Sequence, residues 1–454
     1  MTDTASAPRP RPSSRPSSPP GSSSPSPSFL STAGASALYV GALLGPSLLL
    51  LPGLAARAAG PASLLAWLVL LALSGLIAVV FCALGTRLGS SGGVAGYTAA
   101  GLGARAGRAA GWCFLAGVVA GAPVVCLIGG SYAAAAVGAD GGAAVRAGLV
   151  LLALVLAVRL LGVRTGAGLQ MVLVSALVGL VLFAVLGAAP AARAAHWTPF
   201  LPHGWSGVAQ AAPPLMFAFV GWEAAASLTT RLRDPRRQLR RVVLIAFVVT
   251  SLLCLGLAAA TVAVLGPGAG GSVPLADLMR AAIGSRGPLL AAGAAVVLTL
   301  AATNTYLTGA AALLDALLPS GRAAGRRGPL AVVATTALTG VPLFALVGTG
   351  VLTTAQLVAV PTALFLAVYL TCTAAAVRVL DGTARLAAAV SCPAVLALLL
   401  GTGWPVLAAA AVALTAALAP APPAPAPTPA PRTGDHPPFE RSAAAQEGSP
   451  ASGV

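Results

Sequence analysis

Residues 215–241 read LMFAFVGWEAAASLTTRLRDPRRQLRR: an apolar run broken by Gly221, carrying a carboxylate at Glu223 and closed by a block of arginines around Asp234 and Pro235. A glycine and an ionisable acid in the middle of a hydrophobic span are costly in lipid, so both are expected to face a protein-lined cavity. This span is therefore the first place to look for a binding site. Its arginine-rich end has a local reading as well. Asp234 suits the N-cap and Pro235 the first position of a following helix.

Working outward, the 454-residue chain is 57% hydrophobic and only 8% charged, a balance that excludes a soluble domain of this size and requires a polytopic membrane protein. The formal charge of +16 invites a nucleic-acid reading. The positive residues, however, sit singly or in small groups between apolar runs, which is membrane topology, so no nucleic-acid partner is expected. All 26 basic residues are arginine and none is lysine; with the alanine, glycine and proline load this suggests a GC-rich bacterial genome. Cys82, Cys113, Cys126, Cys254, Cys372 and Cys392 lie inside apolar runs without CxxC spacing and read as small buried hydrophobes.

Residues 1–30 are Ser, Pro and Arg without periodicity, and residues 421–454 are Pro/Ala-rich and polar; both are expected to be disordered tails flanking a domain at 31–420. The opening segment is not apolar, so no cleavable signal peptide is expected and the first apolar run is retained as a span. Twelve runs are long enough to cross ~30 Å of hydrocarbon as helices. They lie near 33–56, 61–85, 111–137, 144–163, 167–188, 207–230, 240–266, 287–316, 329–349, 354–379, 384–401 and 403–420. With the N-terminus inside, 21 arginines fall on inner segments and only Arg57, Arg146, Arg193, Arg280 and Arg286 on outer ones. Both termini are therefore expected in the cytoplasm.

Trp197, Trp205 and Trp404 then fall at outer ends of spans, where indoles anchor at the headgroups. His196 and His203 share an outer loop without a neighbouring acid or cysteine, and no metal site is expected there. The first span, YVGALLGPSLLLLPG at 39–53, is broken by Gly45 and Pro46, as the sixth is by Gly221. Unwound backbone survives at membrane depth only where it lines a cavity, its N–H groups turned to an anion and its carbonyls to a cation. Two such breaks facing each other make a site for a zwitterion.

These stretches resemble the amino acid, polyamine and organocation (APC) superfamily. The resemblance is carried by AARAAGP at 55–61, GSSGGVAGYTAAGLG at 89–103, WTPFLPHG at 197–204 and, most clearly, FVGWEA at 219–224 followed by RLRDPRRQLRR. It covers roughly residues 39–315, and the last four spans match in hydropathy alone. SSGGVAGYTAAGLGARAGRAAGWCFLAG and AATNTYLTGAAALL look most like the bacterial exporter branch for neutral and hydrophobic amino acids. The resemblance implies an all-α integral membrane fold of twelve transmembrane helices. Within it, a 5+5 inverted repeat with broken helices 1 and 6 is followed by two further spans.

It also implies a set of site residues. The small-residue break falls on Gly45, Pro46 and Ser47. The family's usual Ser/Thr-Gly is Pro46-Ser47 here, and proline has no N–H to donate, so the substrate carboxylate is expected on the amides of Ser47 and Leu48 and on the Ser47 hydroxyl. The carbonyls of Leu43, Phe217 and Val220 would receive the ammonium. Phe217 stands where the family has an aromatic gate, with Phe219 beside the side-chain pocket. On spacing alone both are equally packing residues, and only the resemblance favours a role. Trp222 is a gate or a packing residue. Glu223, the one acid deep in a span, is a packing carboxylate or the carrier of the coupling proton, and the default for intramembrane acids favours gating or coupling. Some relatives hold a fixed lysine in span five; without one this chain must couple differently or merely exchange substrates. Asn304 in span eight lines the pathway or bridges helices.

The expected function is secondary transport of amino acids across the bacterial cytoplasmic membrane by alternating access, with efflux of neutral, hydrophobic amino acids coupled to protons. Uptake or exchange on the same fold is the alternative. The partners are then an amino acid, protons and lipid; no cofactor, metal or catalytic residue is expected, and oligomeric state is not legible. An enzyme would need clustered His, Asp, Glu or Ser groups at depth, where Glu223 stands alone. A non-transporting sensor or scaffold would be expected to carry a folded soluble domain, which tails of this length and composition do not supply.

Overall fold

The structure is a computed structural model that describes residues 30–89, 92–163, 167–318 and 324–419. The expected tails lie outside the described residues except for Leu30, whose N–H donates to Arg231 O at 2.9 Å. Among those residues every regular element is helical: α1 (Thr32–Leu43), α2 (Leu51–Ala59), α3 (Ser63–Leu88), α4 (Gly93–Leu102), α5 (Ala104–Ala136), α6 (Gly141–Leu160), α7 (Ala167–Ala188), α8 (Gly204–Leu215), α9 (Ala225–Thr229), α10 (Pro235–Leu265), α11 (Pro274–Ile283), α12 (Gly287–Leu317), α13 (Ala324–Gly348), α14 (Thr354–Val379), α15 (Gly382–Gly401) and α16 (Pro405–Leu418).

Nine stretches of the described residues are long and apolar enough to cross a membrane, against the twelve runs expected. The difference has a geometric cause. At 1.5 Å per residue the 12-residue α1 rises about 18 Å and the 14-residue α16 about 21 Å, both short of ~30 Å of hydrocarbon. The sixth run is likewise cut into α8, of 12 residues, and α9, of 5. Runs one and six are the two that unwind, so neither forms one continuous helix.

Two helices were not anticipated. α4 and α11 are 10 residues each, and both end on a glycine of positive φ, Gly103 at 88° and Gly284 at 71°. Both are too short to cross: α4 packs between α5 and α14, and α11 lies against α7 and α12. The start of α10 is as read from RDPRR: Asp234 caps it, its carboxylate accepting from Arg237 N at 3.2 Å, and Pro235 occupies the first position.

The core is organised around α5. Of its most apolar window 78% is buried, against 28% for the windows of α7, α13 and α15. Glycine makes this possible: a Cβ on Gly130 would collide with the Ala144 carbonyl, so α5 and α6 are in backbone contact there. The outer helices expose Leu182, Phe183, Leu186, Leu338, Val341, Leu386, Val390 and Leu400. An apolar surface of that extent fits lipid rather than water. The six cysteines are free thiols, four of them buried.

Candidate functional site

The first break follows from local chemistry. Proline disfavours the helical conformation in the residue before it, and Gly45 is extended at φ −79°, ψ 176°. Pro46–Leu49 forms a 3-10 turn, and α2 begins at Leu51. The second break has a 3-10 turn over Met216–Phe219, an extended Val220 at φ −72°, ψ 128°, and Gly221 at φ 138°, ψ −13°. Only glycine adopts that last conformation without strain. The two breaks touch at this point, since a Cβ on Gly221 would stand 2.6 Å from the Ala42 carbonyl oxygen.

Unwinding leaves backbone carbonyls without their helical partners where no water reaches them. Tyrosines supply the missing donors. Tyr306 Oη of α12 donates to Ala42 O at 3.0 Å, and Tyr132 Oη of α5 donates to Leu49 O at 2.7 Å. Tyr39 Oη of α1 crosses to Trp222 O at 2.8 Å, tying one break directly to the other. Tyr369 Oη of α14 lies 3.1 Å from Phe219 O and 2.8 Å from Glu223 Oε2, and it accepts from Gly221 N at 3.2 Å. Of the five tyrosines only Tyr97 serves elsewhere, capping α3 at Gly89 O. Sequence reasoning passed over all four. The available signal was the residue type: a buried phenol must find a hydrogen-bond partner, and these stand in apolar runs.

Glu223 is held at the break. Its Oε2 accepts from Gly221 N at 3.0 Å and faces the Tyr369 hydroxyl. Trp222 is wholly buried; its Nε1 donates to Ser74 Oγ of α3 at 2.8 Å, and its ring stands edge-on to Tyr39 at 5.6 Å. Phe219, expected beside the side-chain pocket, is also wholly buried, edge-on to Trp67 at 6.0 Å. These two residues fasten the second break to the core and do not line the cavity in front of it.

That cavity, of about 40 Å³, lies between the breaks and three helices. Leu43, Gly45, Pro46 and Ser47 come from the first break, and Phe217 and Val220 from the second. α5 contributes Gly117, Val118, Gly121, Ala122 and Val125, while α12 adds Thr303 and Tyr306 and α14 adds Phe365. No charged side chain lines it. Phe365 and Phe217 face each other across it with ring centroids 6.4 Å apart, and Phe114, outside the lining, packs edge-on against Phe365 at 5.6 Å. Gly117 of α5 makes room for one ring, since a Cβ there would stand 3.0 Å from Phe365, while one on Gly121 would meet Phe217 at an ordinary 3.8 Å.

The free polar groups are fewer than the sequence suggested. Leu48 N already donates to Gly45 O at 3.1 Å, and Leu48 is buried behind the turn. Leu43 O accepts from Gly45 N at 3.0 Å. At the first turn this leaves the Ser47 amide and hydroxyl as the donors toward the cavity. Asn304 is not among the lining residues; its Nδ2 donates to Val163 O at 3.2 Å, just beyond α6. In the loop before α8, His196 Nδ1 lies 2.8 Å from Ala263 O, while Trp205 and Trp404 are exposed.

A family described as amino acid permease matches residues 30–430 of this chain. Similar proteins include an uncharacterized amino acid permease, YecA, of Bacillus subtilis strain 168, 28% identical over 390 residues that cover 83% of this chain and 91% of that protein. The L-methionine/branched-chain amino acid exporter YjeH of Escherichia coli K12 is 33% identical over 217 residues, 47% of this chain and 51% of the exporter. An uncharacterized transporter of Mycobacterium tuberculosis H37Rv, Rv1999c, is 33% identical over 267 residues, 57% of this chain and 58% of that protein.

Proposed function

Because this chain belongs to the amino acid permease family, we propose that it is a secondary transporter that exports neutral, hydrophobic amino acids by alternating access, coupled to protons. The observation that carries the proposal is the cavity between two facing helix breaks, walled mostly by apolar residues, with Ser47, Thr303 and Tyr306 as its polar side chains and no charged one. A lysine, arginine or glutamate substrate would bury an uncompensated charge there, at a cost far above that of an aliphatic side chain. The substrate carboxylate sits on the Ser47 amide and hydroxyl beside Gly45 and Pro46, the ammonium on the carbonyls of Phe217 and Val220, and the side chain between Phe217, Phe365 and the glycine face of α5. A volume of about 40 Å³ is room for a few waters. Admitting an amino acid requires Phe217 and Phe365 to part, which suits a closed state between the two access states. The exporter YjeH, similar over about half its length, favours efflux as the direction.

Glu223 carries the coupling proton in this reading. Ionised, its Oε2 holds both Gly221 N and the Tyr369 hydroxyl. Protonation weakens that acceptor and frees Tyr369 to bond Phe219 O alone, so proton occupancy changes the hold on the second break. Twelve crossings with both termini in the cytoplasmic phase accommodate the arginine distribution, with runs one and six each crossing as two halves. A 5+5 repeat gives each half a broken first member and a central third member, and α5 and α12, the two third members, pack against each other. Cysteines introduced at 231–241 are expected to react only with a reagent that reaches the cytoplasmic side.

The test is counterflow. Proteoliposomes loaded with unlabelled leucine, methionine or valine should accumulate the labelled amino acid from outside, and an imposed pH gradient should then drive net movement. Accumulation without a pH effect would leave an exchanger; none with any amino acid would overturn the substrate class.

A further inference from the structure

The turn before α10 and its first turns carry Arg231, Arg233, Arg236, Arg237, Arg240 and Arg241, all exposed, with Asp234 the one acid among them. That acid is engaged by its own helix, capping Arg237 N at 3.2 Å and pairing with Arg237 Nε at 3.8 Å. Within eleven residues the segment holds a formal surplus of five positive charges. Orientation in the membrane asks only that such charge lie on one side. Two observations go beyond that demand.

First, two of the arginines, Arg233 and Arg236, line a cavity of about 480 Å³ between the end of α3, at Gly85, Thr86 and Gly89, and the segment from Thr229 to Arg236. Second, the face of α10 that bears Arg237 and Arg241 continues through Leu244, Ile245, Val248 and Leu252, at three- and four-residue spacing and 43–67% exposed. Arg241 to Leu252 is a rise of about 16 Å, close to half of a ~30 Å hydrocarbon core, which is the depth of one leaflet. The cations thus stand at headgroup level above an apolar stripe one acyl chain long.

We propose that this face binds an anionic phospholipid, its phosphodiester held by Arg237 and Arg241, with Arg236 reaching it from the adjoining cavity, and its chains laid along Leu244, Val248 and Leu252. Guanidinium forks match phosphate oxygens in pairs, and the apolar stripe selects a lipid over a free anion. The proposal rests on the membrane setting of the chain and is independent of which amino acid it carries.

Native mass spectrometry of the full-length protein in mild detergent tests it, with phosphatidylglycerol, phosphatidylethanolamine and inorganic phosphate as probes. Phosphatidylglycerol is expected to bind at least tenfold tighter than phosphatidylethanolamine. Replacing Arg236, Arg237 and Arg241 together by glutamine is expected to weaken it about a hundredfold, at about fivefold per arginine. The matched triple at Arg105, Arg378 and Arg385, also exposed, is expected to leave it unchanged. Equal binding of the two lipids, equal loss in both triples, or displacement of the lipid by equimolar phosphate would overturn the proposal. Should the first triple fail to insert, Arg241→Gln alone carries the test, and an unchanged phosphatidylglycerol affinity refutes it.

Discussion

Replacing Tyr369 by phenylalanine isolates the part played by one hydroxyl at the second break. The ring stays, with its contact to Phe81 at 5.3 Å, so the packing of α14 is preserved. The hydroxyl that lies 3.1 Å from Phe219 O, 2.8 Å from Glu223 Oε2 and 3.2 Å from Gly221 N is gone. Gly221 N keeps Glu223 as acceptor, whereas Phe219 O and Glu223 Oε2 lose the one donor they share in a buried place. Leaving a buried acceptor without its partner costs ~1–3 kcal/mol. At ~1.4 kcal/mol per factor of ten, the equilibrium toward this arrangement of the breaks falls roughly 5- to 150-fold. In counterflow the loss appears as a higher half-saturation concentration or a lower initial rate, with the purified protein still monodisperse. A variant within twofold of wild type in both parameters would refute the idea that Tyr369 holds the break in its working geometry.

Gly221→Ala should be more severe. Its φ of 138° costs a side-chain-bearing residue ~1–3 kcal/mol, and the new methyl would meet Ala42 O at 2.6 Å, so wild-type transport and thermal stability together would contradict the geometry. Gly117→Val pushes a side chain into the space of Phe365, 3.0 Å from the position of its Cβ. Preference in competition counterflow should move from leucine toward alanine by roughly tenfold or more, and an unchanged ranking would remove α5 from the side-chain pocket. Glu223→Gln keeps size and polarity but cannot ionise. Counterflow should persist while movement driven by a pH gradient disappears, and gradient-driven transport at the wild-type level would free Glu223 of the coupling role.

Much of this molecule is local chemistry and therefore legible in its residues. Apolar runs mark where helices lie, Gly45-Pro46 and Gly221 mark where two of them unwind, and Asp234-Pro235 marks where α10 begins. Proline lacks an N–H, glycine tolerates positive φ, and an Asp side chain reaches the first-turn amides, each within a few residues of chain. The short α4 and α11 escaped because ten residues are too few to register as a span, and α11 is further interrupted by Asp277 and Arg280.

What faces what was decided only by the tertiary structure. A helix apolar on all sides has no amphipathic pattern to say which face meets a cavity. Phe217 and Phe219, two residues apart, look equivalent in the sequence, yet one lines the cavity and the other packs on Trp67. Tyr39, Tyr132, Tyr306 and Tyr369 are scattered over 331 positions of chain and converge on the two breaks because α1, α5, α12 and α14 surround them. The sequence alone therefore determined that this chain unwinds at membrane depth in two places. Which side chains satisfy the freed backbone, and which walls close the space between, depends on contacts between residues far apart in the chain, and no local pattern encodes them.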